Sequence, residues 1–295
     1  MPLNDKEASS LIRSDNIDVL IFLGGIDGEN RYLLSSYRSA PRQVSFHPIT
    51  SSYNETMDYW ISDHELHPIN CKEKVSEKII RIKSHFNFAK PENLPEINEA
   101  PMKKNMYISF SSFSNPRKIS KKCLELWTQA LKSFENSKLY LRYYDEFNNK
   151  TIQNKICNIF EKNNISKDRI IFLDEEIDIY LKYYNKIDIG LDTFPYSGST
   201  TTYAALTMGV PVITLTGNNY ISRFAASVLS GAGLSEWIVR KESEYIKTLK
   251  KLVNYKTISN VRSSLRKQLI KSPLCNGQSF SKNFENSMKK ILKKK

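Results

Sequence analysis

A regular alternation of strand-like and helix-like segments between residues 105 and 215 constrains the fold of this chain more than any other feature. Short apolar runs typical of buried parallel strands are separated by segments with helical periodicity. The predicted strands are Asn105–Phe113, Lys138–Tyr144, Arg169–Leu173, Ile187–Leu191 and Val210–Leu215, and the predicted helices are Ile119–Phe134, Thr151–Lys162, Ile177–Asn185 and Ser199–Met208. Such alternation produces a parallel sheet flanked by helices, so this part is predicted to be a doubly wound α/β domain.

The first hundred residues also contain strand-like runs but few helical segments between them. The predicted strands are Val19–Leu23, Gln43–Phe46, Tyr59–Ser62 and Lys78–Ile82. Prolines and acidic residues replace the periodic pattern between Pro91 and Pro101, which is typical of a linker. We therefore predict two domains, one over residues 1–100 and one over residues 101–295.

Composition narrows the class of protein. The formal net charge is +13, but the lysines are scattered among Asn, Ile and Ser residues, which is typical of compositional drift across a whole proteome and argues against nucleic acid as a partner. An anionic small substrate fits the charge equally well. No apolar run reaches the roughly 18 residues of a membrane span, and the first residues lack the apolar core of a signal peptide. Cys71, Cys123, Cys157 and Cys275 lack metal-ligand spacing. A cytoplasmic protein without a membrane anchor is expected.

The segment Ile187–Gly217 is the most informative one. A predicted strand ends at Leu191–Asp192, and the run Gly198, Ser199, Thr200, Thr201, Thr202 then leads into a helix. Ligands of open α/β sheets bind at the carboxyl ends of strands, and a helix N-terminus there offers free amides to a phosphate. The alternative is that these hydroxyls only cap the helix. Three consecutive threonines exceed what one cap requires.

A second segment, Tyr107–Leu126, has the same design. A strand ends near Phe113, and a turn containing Asn115 and Lys118 precedes the next helix. A lysine at this place could stabilise the negative charge that develops on a leaving diphosphate. The alternative is a solvated lysine, but the positive end of the helix dipole disfavours a cation at that position.

These two segments resemble the signature stretches of the O-GlcNAc-transferase family of glycosyltransferases, especially its bacterial members. Four further stretches resemble the family in the same order, namely Ile17–Phe46, Met57–Asp63, Tyr220–Leu229 and Ser272–Phe284. The resemblance implies a GT-B fold, in which two Rossmann-like domains face each other across a cleft. It also implies that UDP binds mainly to the C-terminal domain and that N-acetylglucosamine passes to protein Ser or Thr hydroxyls without a metal or other cofactor. The sequence contains no Asp-x-Asp pair.

The resemblance also implies roles for single residues. Lys118 matches the lysine that contacts the diphosphate, with Asn115 beside it, while Thr200 and Thr201 match the hydroxyl residues that bind the phosphates. Asp192 matches an aspartate that ends the preceding strand. The predicted UDP-sugar site therefore comprises Asn115, Lys118, Tyr180, Gly198, Ser199, Thr200, Thr201, Thr202 and Ala204, with Lys118 as its catalytic residue.

Several positions depart from the family pattern. Ala204 stands where relatives have an acidic residue that holds the ribose, and Tyr180 stands in the place of a histidine next to the uracil. Ser199 and Ile26 replace two other histidines, and residues 46–49 replace a loop that touches the sugar. Compared with the family, the chain also lacks the first part of the N-terminal Rossmann-like domain and the tetratricopeptide repeats. We therefore expect an incomplete N-terminal domain.

The four histidines, His47, His64, His67 and His85, are the candidates for a general base. The spacing of His64 and His67 invites a metal site, but no further ligands accompany them, so surface histidines are expected. The resemblance places only His47 near the cleft.

Two classes of function remain open at this point. The first is a UDP-sugar-dependent transferase, with UDP-N-acetylglucosamine as the expected donor and a protein as acceptor. The second is a non-catalytic nucleotide-sugar-binding module, or one half of a split transferase completed by a companion chain that supplies the repeats and the missing half-domain. Because these parts supply the acceptor side in relatives, we expect the chain alone to have little transferase activity.

Overall fold

The computed structural model describes residues 3–26, 30–173 and 179–293. The strands are β1 (Val19–Leu23), β2 (Arg42–Phe46), β3 (Tyr59–Ser62), β4 (Lys78–Arg81), β5 (Ile108–Ser112), β6 (Ser137–Leu141), β7 (Ile170–Phe172), β8 (Ile189–Leu191), β9 (Val212–Leu215) and β10 (Ile238–Val239). The α-helices are α1 (Asp5–Ser14), α2 (Pro101–Asn105), α3 (Lys121–Ser133), α4 (Lys150–Glu161), α5 (Thr200–Thr207), α6 (Phe224–Gly231), α7 (Tyr245–Leu252), α8 (Tyr255–Lys271) and α9 (Gly277–Lys293). In these residues no helix combines the length and the apolar character that a membrane span requires.

The chain packs as two units. The first unit comprises Met1–Asn87, Asn218–Ile221 and Asn276–Lys295, and the second comprises Phe88–Gly217 and Ser222–Cys275. The sequence prediction placed the division at residue 100 and assigned all later residues to the second domain. The division lies instead between Asn87 and Phe88, and two later segments return to the first unit.

The first unit is built on a four-stranded parallel sheet of order β1-β2-β3-β4. Its core includes Val44, Phe46, Tyr59 and Ile61 from β2 and β3. Phe280, Phe284, Met288 and Ile291 of α9 pack against the same core. This apolar stripe explains why the last helix belongs to the first unit, although it follows the second unit in the sequence.

Helix α1 was absent from the sequence prediction. Asn4 caps it: the Asn4 side chain accepts a hydrogen bond from the Glu7 amide, and the Glu7 carboxylate accepts one from the Asn4 amide, both at 2.9 Å. This reciprocal capping box compensates for the polar composition of the segment.

The second unit contains a six-stranded parallel sheet of order β10-β9-β8-β5-β6-β7. Strand β5 lies between β6 and β8 and is buried at all five positions, because it has a neighbouring strand on each side. Strands β6 and β7 follow on one side of β5, and strands β8, β9 and β10 follow on its other side. The carboxyl ends of β5 and β8 therefore form a topological switch point, where open α/β sheets bind their ligands.

The predicted helix over Ile177–Asn185 is replaced in its described part by a 3₁₀ helix over Tyr180–Lys186. The start of that predicted helix falls within residues 174–178, which lie outside the described residues. The rings of Tyr183 and Tyr184 are buried in the core of the second unit, and this packing holds the segment in place.

Candidate functional site

Asp192 organises the switch point, since it follows β8 directly. One carboxylate oxygen accepts the Gly198 amide at 2.8 Å and the other accepts the Thr214 hydroxyl at 2.6 Å. Burial raises the pKa of Asp192 to about 6, while these hydrogen bonds and the charge of Lys118 lower it in part. Asp192 therefore fixes the turn before α5, as the sequence prediction of a structural role implied.

The turn from Gly198 into α5 leaves the start of the helix without a side-chain cap. Ser199 occupies the N-cap position, but its side chain makes no capping hydrogen bond. The Thr202 hydroxyl donates to the Gly198 carbonyl at 3.1 Å, and this hydrogen bond leaves the amides at the helix start unused. The interpretation of these hydroxyls as mere caps therefore fails, and the first amides of α5 remain available to an anion.

Gly198 is needed for close packing in this turn. A Cβ atom at this position would lie 2.3 Å from Thr201 Oγ1 and 3.2 Å from Asp192 Oδ1. A side chain would therefore push Thr201 and the helix start away from their positions.

Substitution of Gly198 by alanine is expected to destabilise the protein by about 1–3 kcal/mol, the usual cost of overpacking. The thermal unfolding midpoint should fall by several degrees, and UDP binding should weaken because the first turn of α5 moves. Gly277 is a matched control, since the nearest atom to a Cβ built there is 3.9 Å away. Equal midpoints for Gly198→Ala and Gly277→Ala would contradict the packing argument.

Lys118 lies beside this turn. It ends a 3₁₀ turn over Pro116–Lys118 that follows β5, and Asn115 caps this turn by accepting the Arg117 amide at 2.9 Å. The Lys118 Nζ lies 3.8 Å from the centre of the Tyr196 ring. Tyr196 belongs to the loop that links Asp192 to Gly198. The ammonium group is therefore held at the switch point by a cation–π contact.

Two side chains at the start of α3 tie the two loops together. The Ser120 hydroxyl caps α3 by accepting the Cys123 amide at 3.2 Å, and it also donates to the Phe194 carbonyl. The Cys123 thiol accepts the Phe194 amide at 2.8 Å and lies 2.9 Å from the Phe194 carbonyl. Sequence reasoning missed Ser120, Cys123 and Tyr196, since only contacts between distant segments show their roles.

Tyr180 and Ala204 lie at the edge of the same site. The Tyr180 ring is 6.0 Å from that of Tyr184, and the Tyr184 hydroxyl donates to the Thr201 carbonyl at 3.2 Å. Ala204 is half-buried and packs against the core cluster that contains Tyr184. The structure thus gathers the predicted residues from the β5, β7 and β8 loops at one edge of the sheet.

The histidines differ from the prediction. His64 is exposed as expected, but His67 is buried, so the expectation of a surface histidine is wrong for His67. His85, for which only a role as general base was considered, is buried as well. His67 Nδ1 lies 2.7 Å from the Ser62 hydroxyl, and His85 Nε2 lies 3.0 Å from the Tyr220 hydroxyl. Among the described residues, no three His, Cys, Asp or Glu side chains are arranged to hold a metal ion.

His47 follows β2 in the first unit and has a left-handed backbone, with φ of 56°. Its ring contacts those of Phe46 and His85, with centroids 3.9 Å and 4.3 Å away. His47 is exposed as a whole residue, but the neighbouring rings remove part of the solvation of its imidazole, which lowers the pKa of His47 to about 4. Burial also lowers the pKa of His85, and the charges of His47 and His67 add to that effect.

Acidification from pH 6.5 to pH 4 should therefore destabilise the first unit. A neutral His47 contributes stability above its unfolded pKa of 6.5, and this is lost as pH falls toward its folded pKa of about 4. Asp192 acts in the opposite sense, because its raised pKa of about 6 makes its contribution grow as pH falls. Because Asp192 is present in both proteins, a comparison of wild type with His47→Gln isolates the effect of His47. The thermal unfolding midpoint of His47→Gln should fall less than that of wild type on acidification. Identical pH profiles, or an NMR titration of His47 near 6.5, would contradict this prediction.

The fold places the chain in the GT-B class of glycosyltransferases. The family profile described as glycosyl transferase family 41 matches residues 99–284, and the chain belongs to this family. The predicted O-GlcNAc-transferase-type fold and family are confirmed.

Two relatives and two solved structures illustrate the similarity. The chain is 32% identical over 99% of its length to the Petunia hybrida protein named probable UDP-N-acetylglucosamine–peptide N-acetylglucosaminyltransferase SPINDLY, and 33% identical over 96% to its Solanum lycopersicum counterpart. It spans 32% and 31% of these proteins, about a third of their length. A mutant O-GlcNAc transferase of Thermobaculum terrenum superimposes with a TM-score of 0.91 at 30% identity, covering 99% of this chain and 56% of that one. TarM, with a TM-score of 0.62 at 13% identity over 97% of this chain and 58% of that one, shares the fold alone.

Proposed function

We propose that the second unit binds a UDP-sugar, with UDP-N-acetylglucosamine as the expected donor, and that the protein transfers the sugar to Ser or Thr hydroxyls of a protein acceptor. The observation that carries the proposal is the uncapped start of α5 beside Lys118 at the topological switch point. The names of the relatives support the choice of donor and acceptor.

The proposed chemistry is a single displacement. The acceptor oxygen forms a bond to the anomeric carbon while the bond from that carbon to the diphosphate oxygen breaks, and the acceptor proton leaves to a base that we do not assign. Lys118 and the amides at the start of α5 stabilise the negative charge that develops on the leaving UDP. Because these groups supply positive charge, the proposal requires no metal or other cofactor.

The proposed contacts with the donor come from two loops of the second unit. Asn115 and Lys118 act from the β5 loop, and Gly198, Ser199, Thr200, Thr201 and Thr202 act from the β8 loop and the start of α5. In this proposal Tyr180 acts on the base and Ala204 lies beside the ribose, as the resemblance to the family implies. The proposal therefore treats the second unit, Phe88–Gly217 and Ser222–Cys275, as the donor-binding domain and the first unit as the acceptor side.

Calorimetric titration of the purified chain tests donor binding without knowledge of the acceptor. UDP and UDP-N-acetylglucosamine should bind, and GDP and uridine should bind more weakly. Absence of binding for every nucleotide would overturn the proposal.

Transfer is tested separately with a labelled donor and peptide acceptors. Binding without transfer would favour the second candidate, a nucleotide-sugar-binding module or one half of a split enzyme, and adding a companion chain that carries repeats should then restore transfer. We propose that this takes place in the cytoplasm, in keeping with the four free cysteines.

A further inference from the structure

The second unit carries a broad cleft, called the lysine cleft here, whose lining includes Lys103, Lys104 and Lys186. Its volume is about 800 Å³, which is within the range of sites that bind ligands. Asn105 and Lys186 line it just before β5 and β8 begin. The lysine cleft therefore opens near the amino ends of these two strands, whereas the candidate donor site lies at their carboxyl ends.

The floor of the lysine cleft is apolar. Tyr107 and Ile171 are half-buried there and pack against the core cluster of the second unit. In the described part of the connection from β7 to β8, a 3₁₀ helix stands where a doubly wound domain ordinarily has an α-helix, so this face of the sheet is covered less completely. Met106, between the lining residues Asn105 and Tyr107, is 75% exposed. The second unit thus leaves apolar surface accessible at this place.

The rim of the lysine cleft is basic. Glu99 is the one acidic side chain among the described residues that line it, and its carboxylate already accepts a hydrogen bond from the Lys103 ammonium group at 2.5 Å. Lys138 adds a further positive charge, since its Nζ lies 4.8 Å from the centre of the Tyr107 ring. The combined charge of these side chains attracts an anionic partner.

Hydrogen bonds fix the walls of the lysine cleft. The Asn185 side chain accepts the Asn98 amide and donates to the Glu96 carbonyl, both at 3.0 Å. On the floor, the hydroxyls of Tyr107 and Tyr140 lie 2.7 Å apart. Because these bonds hold the wall and the floor in place, a partner that binds here has little to order in the protein.

We propose that the lysine cleft binds an acidic segment of a partner protein that also carries apolar side chains. The lysines attract carboxylates, and the flexible thioether of Met106 adapts to apolar side chains of different shape. Nucleic acid fits less well, because the Lys138 ammonium group occupies one face of Tyr107 and hinders stacking of a base there. This docking site is separate from the donor site and goes beyond the proposed function.

Fluorescence anisotropy with a labelled peptide, in which pairs of glutamates alternate with single leucines or phenylalanines, tests this site. Wild type should bind the peptide, and Lys104→Glu combined with Lys186→Glu should weaken binding at least about tenfold through charge repulsion. Met106→Ser should weaken it several-fold without affecting the thermal unfolding midpoint, because the Met106 side chain is exposed. The matched control combines Lys132→Glu with Lys155→Glu, two exposed lysines of α3 and α4 that do not line the cleft, and should lose little affinity.

The outcomes decide between this site and its alternatives. Peptide binding that the cleft variant loses and the control variant keeps supports the docking site. Absence of binding to wild type, equal losses in both double variants, or equal binding of a peptide with glutamine in place of glutamate overturns it. Tighter binding of single-stranded RNA than of the peptide overturns it in favour of nucleic acid. UDP is titrated separately, so failure of UDP to bind overturns the proposed function and leaves this docking site standing.

Discussion

Replacing Lys118 by alanine should weaken UDP binding about 10- to 100-fold and leave uridine binding unchanged. A charge-assisted hydrogen bond contributes roughly 1.5–3 kcal/mol, and each 1.4 kcal/mol is about a factor of ten in the dissociation constant. The ammonium group lies against Tyr196 and influences the pKa of Asp192, so it stands beside the loop that leads to α5. Its partner in the complex would be the diphosphate, which uridine lacks.

Lys121 is the matched control for this experiment. It lies three residues further along the chain, and its side chain is 92% exposed, so Lys121→Ala removes the same charge outside the site. An equal loss of UDP affinity in both variants would point to a general electrostatic effect of the basic chain. An equal loss for UDP and uridine in Lys118→Ala would refute the diphosphate assignment.

The second large effect is a predicted gain in affinity for UDP. Ala204→Asp or Ala204→Glu should strengthen UDP binding about 10- to 100-fold, because the new carboxylate would accept hydrogen bonds from the ribose hydroxyls. Ala204 lies three and four residues after Thr201 and Thr200, on the same face of α5, and only partly buried. An acidic residue can therefore reach the ligand without entering the core.

The control ligand for this prediction is 2′,3′-dideoxy-UDP, which has no ribose hydroxyls. The gain should be absent for this ligand, and repulsion from the phosphates should make its binding slightly weaker. If neither variant gains affinity for UDP, the ribose contact that the family uses has been lost from this site.

The Lys118 prediction starts from a residue that a local sequence pattern identifies, whereas the Ala204 prediction starts from the resemblance to the family. The strand before Asp192, the glycine of the turn and the threonines of α5 follow one another within a few residues, so short-range propensities and ligand chemistry are enough to predict them. The same holds for β1 and β3, whose predicted bounds agree with the structure. The resemblance added the identity of the family and the expected roles of single residues.

Contacts between distant segments decided the rest. The burial of His67 and His85, the placement of α9 in the first unit and the bonds from Ser120 and Cys123 to Phe194 all join residues far apart in the sequence. Sequence alone thus determined most of the strands and the residue types of the turn before α5, because both depend on neighbouring residues. Only the tertiary structure determined which side chains are buried, paired or left exposed, because packing depends on the order of the strands.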